Sequence, residues 1–223
     1  VADLRNGYRE LIESELQIAY QASDLTPNTE EELRDVFAPI GQNATPTLEA
    51  VLNAIGNSDD EVGIPEKRMV DAIQEALVQS MEQHPELIIM GQDIAEYGGA
   101  FKITEGMVEK FGKSRVRNTP ICESAIVGTA MGLSLEGIKS VMEMQFADFV
   151  TVGFNQIVNN LAKMHYRWGQ NADVVVRMPT GAGVGAGPFH SQSNEAWFTH
   201  VPGLKVVYPS NPQDAKGLLI AAI

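Results

Sequence analysis

The chain has 223 residues, a formal charge of −13 and 44% hydrophobic residues. That length accommodates one substantial domain with an appendage, and that apolar share excludes global disorder. An acidic chain is a poor partner for nucleic acid, and no run of about 18 apolar residues is present to cross a membrane. The single Cys122 excludes an internal disulfide and suits a reducing cytoplasm.

The charge is unevenly placed. Residues 1–66 hold 14 acidic and 3 basic residues, whereas residues 67–223 hold 15 and 13. Leu11, Ile12, Leu16, Ile18, Ala19 and Ala22 recur near helical spacing and predict an amphipathic helix over 8–22. Residues 24–28 break it. Thr29 is placed to cap a second helix running to about Phe37, with Glu30, Glu31 and Glu32 in its favourable first turn. Residues 39–47 read as loop, 47–55 as a short helix and 57–66 as an acidic linker. The expected organisation is a helical and acidic part over 1–63 and a second domain over 64–223.

The second part alternates: helix 66–83, strand 87–90, a loop over 93–100, helix 104–111, strand 116–118, then a helical segment opening at Glu123. Strand 140–145, a long helix 149–168, strands 173–178 and 204–208, and a final helix from Pro212 follow. Alternating strands and helices predict an α/β fold, a parallel sheet with helices on both faces, and ligands at the carboxyl ends of its strands. Glu123, Phe149 and His190 each fall just after a predicted strand. The chain stops inside an apparent helix over 216–223 with no capping glycine or basic last turn, so it reads as a piece of a longer polypeptide.

The segment Thr119-Pro120-Ile121-Cys122-Glu123-Ser124-Ala125-Ile126-Val127-Gly128 puts one carboxylate at the mouth of an uncharged stretch, 125–135. Burial favours the protonated form of a carboxyl group, and such a Glu can exchange a hydrogen with a ligand's ring nitrogen. The same position also suits an ordinary acid complementing a helix N-terminus. His190 closes a loop of small residues, Gly181-Ala182-Gly183-Val184-Gly185-Ala186-Gly187-Pro188-Phe189. It reads either as a proton-transfer group or as a His bonded to its own loop. Around Gln145, Phe146 and Phe149, an aromatic at a strand-to-helix junction either stacks on a flat heterocycle or packs in the core. His84, His165 and His200 lack ligand spacing, so no metal cluster is expected. Asp93 and Glu96 read as a solvated loop.

Together with the Glu123 segment, Gln145-Phe146-Ala147-Asp148-Phe149, His190-Ser191-Gln192-Ser193 and Pro202-Gly203-Leu204-Lys205-Val206-Val207 resemble the beta subunit of the thiamine-diphosphate-dependent 2-oxo acid dehydrogenases. The resemblance is colinear over about 66–223, and residues 1–45 resemble the last helices of the matching alpha subunit, which implies a fused alpha–beta polypeptide. It implies a pyrimidine-binding domain of the thiamine diphosphate fold. Glu123 then pairs with the cofactor's aminopyrimidine ring, Ile121 is an apolar contact of that ring, and Gln145 and Phe149 join the cofactor-binding set. Phe149 stands where many relatives carry Tyr, which keeps the aromatic face and loses a hydroxyl. His190 is implied in proton handling or orientation during acyl transfer to lipoyl groups.

The resemblance places the diphosphate and its magnesium on the alpha part, through a Gly-Asp-Gly…Asn-Asn type motif absent here. This chain alone is expected to bind the cofactor weakly and to turn over nothing. Implied partners are the alpha portion, a second copy of the chain and a lipoyl acyltransferase component. Residues 172–176 match a region where relatives hold potassium through backbone oxygens. The stretch 190–198 favours branched-chain 2-oxo acids, with pyruvate, a transketolase-type enzyme and a non-catalytic assembly module as alternatives.

Overall fold

The computed structural model describes residues 2–37 and 66–223. The loop, helix and linker expected between residues 39 and 65 lie outside the described residues. Two compact units divide at Arg34. In the first, α1 (Ala2–Gln21) begins six residues earlier than the apolar spacing predicts, and α2 (Thr29–Arg34) follows. The cap of α2 is Asn28 rather than Thr29, because the Asn28 Oδ1 accepts from the Glu31 N–H at 3.3 Å.

The second unit is built on a four-stranded, all-parallel sheet in the order β2-β1-β3-β4. Its strands are β1 (Ile88–Gly91), β2 (Val116–Asn118), β3 (Ser140–Glu143) and β4 (Val174–Arg177). Successive side chains of a strand point to opposite faces, and here both faces are apolar. Ile89, Val116, Val141 and Val175 meet Leu77, Met81 and Leu219 on one face. These come from α3 (Met69–Gln83) and the last helix, α9 (Pro212–Ala222). A salt bridge joins the same two helices, with Glu75 of α3 held by Lys67 at 2.5 Å and by Lys216 of α9 at 3.1 Å.

On the other face, Met90, Met142, Val174 and Val176 meet Ile126, Val127, Ile157, Leu161 and Phe198. These belong to α5 (Glu123–Leu135), to a long helix and to α8 (Ala196–Thr199). The long helix runs as α6 (Val150–Asn155), a wider π-helical stretch (Gln156–Leu161) and α7 (Ala162–Trp168). Helices on both faces of a parallel sheet are the architecture the alternation predicts. Among the described residues, no helix is long and apolar enough to cross a membrane.

Two predicted elements change. The helix expected over 104–111 shrinks to α4 (Met107–Phe111), because Gly106 sits at φ +77° and the buried Thr104 hydroxyl donates to the Ile94 carbonyl at 2.6 Å. The strand expected over 204–208 joins no ladder. Gly203, at φ +92°, presses onto the long helix so tightly that a Cβ there would stand 1.9 Å from the Ala162 carbonyl oxygen. The chain leaves that contact lining a cavity of about 470 Å³ together with Val174 and Val176 of β4. Gly203→Ala is therefore expected to lose about 2 kcal/mol or more in urea denaturation, through both the contact and the φ angle.

Candidate functional site

The carboxyl ends of the strands carry one register row: Asn118, Gly91, Glu143 and Arg177 across β2, β1, β3 and β4. Glu143 and Arg177 form an ion pair, with side chains only 3% and 10% exposed. Glu143 also fixes its neighbours. A Cβ on Gly91 would stand 2.9 Å from the Glu143 carbonyl oxygen, and one on Gly99 would stand 3.2 Å from its carboxylate. The loop leaving β1 thus passes over this carboxylate and returns through Gly99.

Glu123 lies above that row as the first residue of α5. Pro120 keeps the preceding chain extended, and the Cys122 carbonyl takes the first helical hydrogen bond from Ile126. The carboxylate therefore sits at a helix N-terminus, where the peptide dipoles favour negative charge. It is 6% exposed, as is Gln92, the first residue after β1. Gln92 Nε2 donates to Glu123 Oε1 at 3.0 Å. Oε2 of Glu123 has no hydrogen-bond partner among the described residues.

His190 and Phe149 come together in an aromatic cluster. The His190 ring meets Phe146 and Phe149 nearly edge-on, with centroids 4.9 and 5.3 Å away, and Phe146 also meets Phe101 at 5.6 Å. The imidazole forms no hydrogen bond among the described residues, so a ring bonded to its own loop is not what the structure holds. The loop is tied down at its far end instead. Asp148 Oδ1 accepts from the Gln192 side chain at 2.9 Å and its N–H at 3.3 Å, and Asn194 Nδ2 donates to the Ala147 carbonyl. The long helix that follows Phe149 meets α5 at Gly153, where a Cβ would stand 3.5 Å from the Glu123 carbonyl oxygen.

Ile121 is 84% exposed at the entry to α5, and Gln145 is half-buried after β3. An open depression of about 620 Å³ runs beside the first turns of α5, lined by Cys122, Ser124, Ala125, Gly128, Thr129, Val152 and Gln156. Glu123 is flanked by two of these residues but turns inward, toward Gln92. Among the described residues, no cluster of His, Cys, Asp and Glu has the geometry to hold a metal. The sequence reading missed Gln92, gave Asp148 no role of its own, and left open whether Phe146 stacks on a ligand or packs in the core, where the structure sets it against His190 and Phe101. Gln92 had one usable signal, its place directly after a predicted strand at the ligand end of a parallel sheet.

A doubly covered parallel sheet with a buried acid beyond its carboxyl edge defines an α/β ligand-binding domain. The transketolase pyrimidine-binding domain family matches residues 66–223, and the chain belongs to that family. Over the same region it is similar to the 2-oxoisovalerate dehydrogenase beta subunit of Bacillus subtilis (strain 168), 46% identical over 156 residues that make up 69% of this chain and 48% of the relative. A mitochondrial 2-oxoisovalerate dehydrogenase subunit beta 2 of Arabidopsis thaliana is also 46% identical, over 70% of this chain and 44% of its own length. A pyruvate dehydrogenase beta subunit of Acholeplasma laidlawii is 44% identical, over 70% and 48%. The chain thus spans about half the length of the curated relatives it matches. A solved split-gene transketolase, an inactive β4 tetramer, shares the fold with a TM-score of 0.53 at 21% identity, over 69% of this chain and 47% of that one. The resemblance to 2-oxo acid dehydrogenase beta subunits stands, with the branched-chain enzymes first among the relatives named.

Proposed function

We propose that this chain is the pyrimidine-binding part of the decarboxylating component of a 2-oxo acid dehydrogenase complex, acting on branched-chain 2-oxo acids and passing the acyl group to lipoyl groups. The observation that carries the reading is Glu123: a buried carboxylate at the carboxyl edge of the sheet, with one oxygen bonded to Gln92 and the other without a protein partner. That donor set fits an aminopyrimidine, which presents a ring nitrogen beside an amino group. Thiamine diphosphate, when bound, supplies the nucleophile for the 2-oxo carbon and the sink for the electron pair released with carbon dioxide. Glu123 would hold or give up a proton at Oε2, Ile121 and Phe149 would offer apolar contacts, and Gln145 a polar one. His190 would handle a proton or orient the acyl group; its ring nitrogens are not committed elsewhere among the described residues.

The partners proposed are an alpha portion of the same polypeptide, a second copy and a lipoyl acyltransferase component. Helix α5 supports a covering chain, since a helix apolar on all sides is normally buried. Here Leu135 of α5 is exposed, as is Ile121 just before the helix, and nothing stands within 4 Å of a Cβ built on Gly128 or Gly132. The division proposed is an alpha-type tail and linker over 1–63 followed by the pyrimidine-binding domain over 64–223. Magnesium belongs to the alpha part in this reading. Potassium would be held by backbone oxygens near 172–176, where the Ala172 carbonyl already accepts from Val174 and keeps a second lone pair. The cytoplasm is the proposed compartment, on the unpaired Cys122 thiol.

The test is an assay of the full-length polypeptide with thiamine diphosphate and magnesium against 2-oxoisovalerate, pyruvate and sugar phosphates. Cofactor-dependent release of carbon dioxide from 2-oxoisovalerate supports the reading. Turnover confined to sugar phosphates moves the chain to the transketolase type, and no turnover with intact complex assembly makes it a scaffold. A titration of the 223-residue chain alone is expected to show weak cofactor binding.

A further inference from the structure

We propose that Gln92 is a positioning residue that selects which oxygen of Glu123 meets the ligand. The inference rests on the reading of Glu123 given above. An amide Nε2 can only donate, so its bond to Oε1 keeps that oxygen an acceptor. A proton carried by Glu123 then resides on Oε2, the oxygen without a protein partner. A carboxyl group free to rotate would present either oxygen and would spend part of its time with the proton turned inward.

The geometry also explains why Gln92 is rigid enough for the task. It follows Gly91, whose backbone is packed against Glu143 on the neighbouring strand. Glu143 is in turn fixed by Arg177 and overlaid by the Gly99 loop. Gln92 is 94% buried by the same packing that buries Glu123. The amide belongs to a short, rigid connection at the end of β1 rather than to a mobile surface loop. A glutamine at this place has a further consequence. A carboxylate in its stead would bring two acids within about 3 Å, and like charges that close share a proton instead of both ionising.

Two variants of the full-length polypeptide test this, Gln92→Leu and Gln92→Glu, each followed by kcat and KM for 2-oxoisovalerate, thiamine diphosphate affinity by titration, and thermal melting. Gln92→Leu removes a hydrogen bond to a charged group. It is expected to lower kcat about ten- to a hundredfold while KM stays within about twofold. Cofactor affinity is expected to weaken severalfold, because the misplaced oxygen costs the ring contact as well. Gln92→Glu keeps the side-chain shape and is expected to move the pH dependence of both kcat and cofactor affinity to higher pH by about one unit or more. A residue that only supports the fold would lower the melting temperature and leave the pH dependence and the kcat-to-KM split unmoved, and that result overturns the proposal. If Gln92→Leu does not fold, the isosteric Gln92→Glu decides alone by its pH profile. If the unmodified protein neither binds thiamine diphosphate nor decarboxylates a 2-oxo acid, the functional reading fails rather than this one.

Discussion

Glu123→Gln in the full-length polypeptide is expected to lower kcat about 10²- to 10⁴-fold, the range for losing a positioned proton-transfer group. The amide is nearly isosteric, so α5 keeps its packing on the sheet. Stability is expected to change by less than about 1 kcal/mol, because the lost interaction with the helix N-terminus is partly offset by removing a buried charge. Gln cannot take or give the proton at the second oxygen, yet it can still accept from Gln92 at the first. Activity should therefore fall much further than cofactor affinity. Steady-state kinetics beside a cofactor titration measures the difference. A variant that retains more than a tenth of the parent's kcat would show that the carboxylate is structural rather than a proton-transfer group.

Three of the four strands were legible because each contains a short apolar or β-branched run bounded by turn residues, which a doubly covered parallel sheet buries on both faces; β2, Val-Arg-Asn with its last two residues exposed, carries only one such residue. Residues 204–208 emit the same signal and form no strand. β-propensity describes how side chains suit a pleated surface, not whether a neighbouring backbone is present, and the Gly203 contact with Ala162 carries this segment away from the edge of β4. The long helix was legible as a length of helical pattern, but its widening to π geometry over Gln156–Leu161 leaves no compositional mark.

At the site, the local pattern exposed Glu123 and His190, each made conspicuous by apolar or small neighbours along the chain. Gln92 stayed hidden because its partner is 31 residues away, and Asp148 because Gln192 is 44 residues away. Those pairings exist only once the sheet brings strand ends together. The aromatic setting of His190 was hidden for the same reason: sequence analysis left open whether its ring bonded to its own loop, whereas the structure packs it against Phe146 and Phe149.

Arg177→Met is expected to destabilise the protein by about 3–5 kcal/mol, the largest stability effect anticipated for a single substitution here. The cause is what the substitution leaves behind. Glu143 is 3% exposed, accepts no other side-chain hydrogen bond among the described residues, and would hold an uncompensated charge inside the sheet. Its carboxylate cannot swing out to water, because the Gly99 backbone covers it on one side and Gly91 packs behind it. Removing both charges, with Glu143→Leu beside Arg177→Met, is expected to recover most of the loss or exceed the parent, since a buried pair and well-packed apolar residues of similar volume are often close in stability. Urea denaturation of the single and double variants gives both numbers. A single variant that loses less than about 1 kcal/mol would mean that Glu143 is already neutral or reaches water. The double variant carries a second consequence for the site. The pair sits at the ends of β3 and β4, from which the loops carrying Gln145 and His190 depart, so stability and activity should separate, with a fold as stable as the parent's and a lower kcat because those loops are no longer held at their bases.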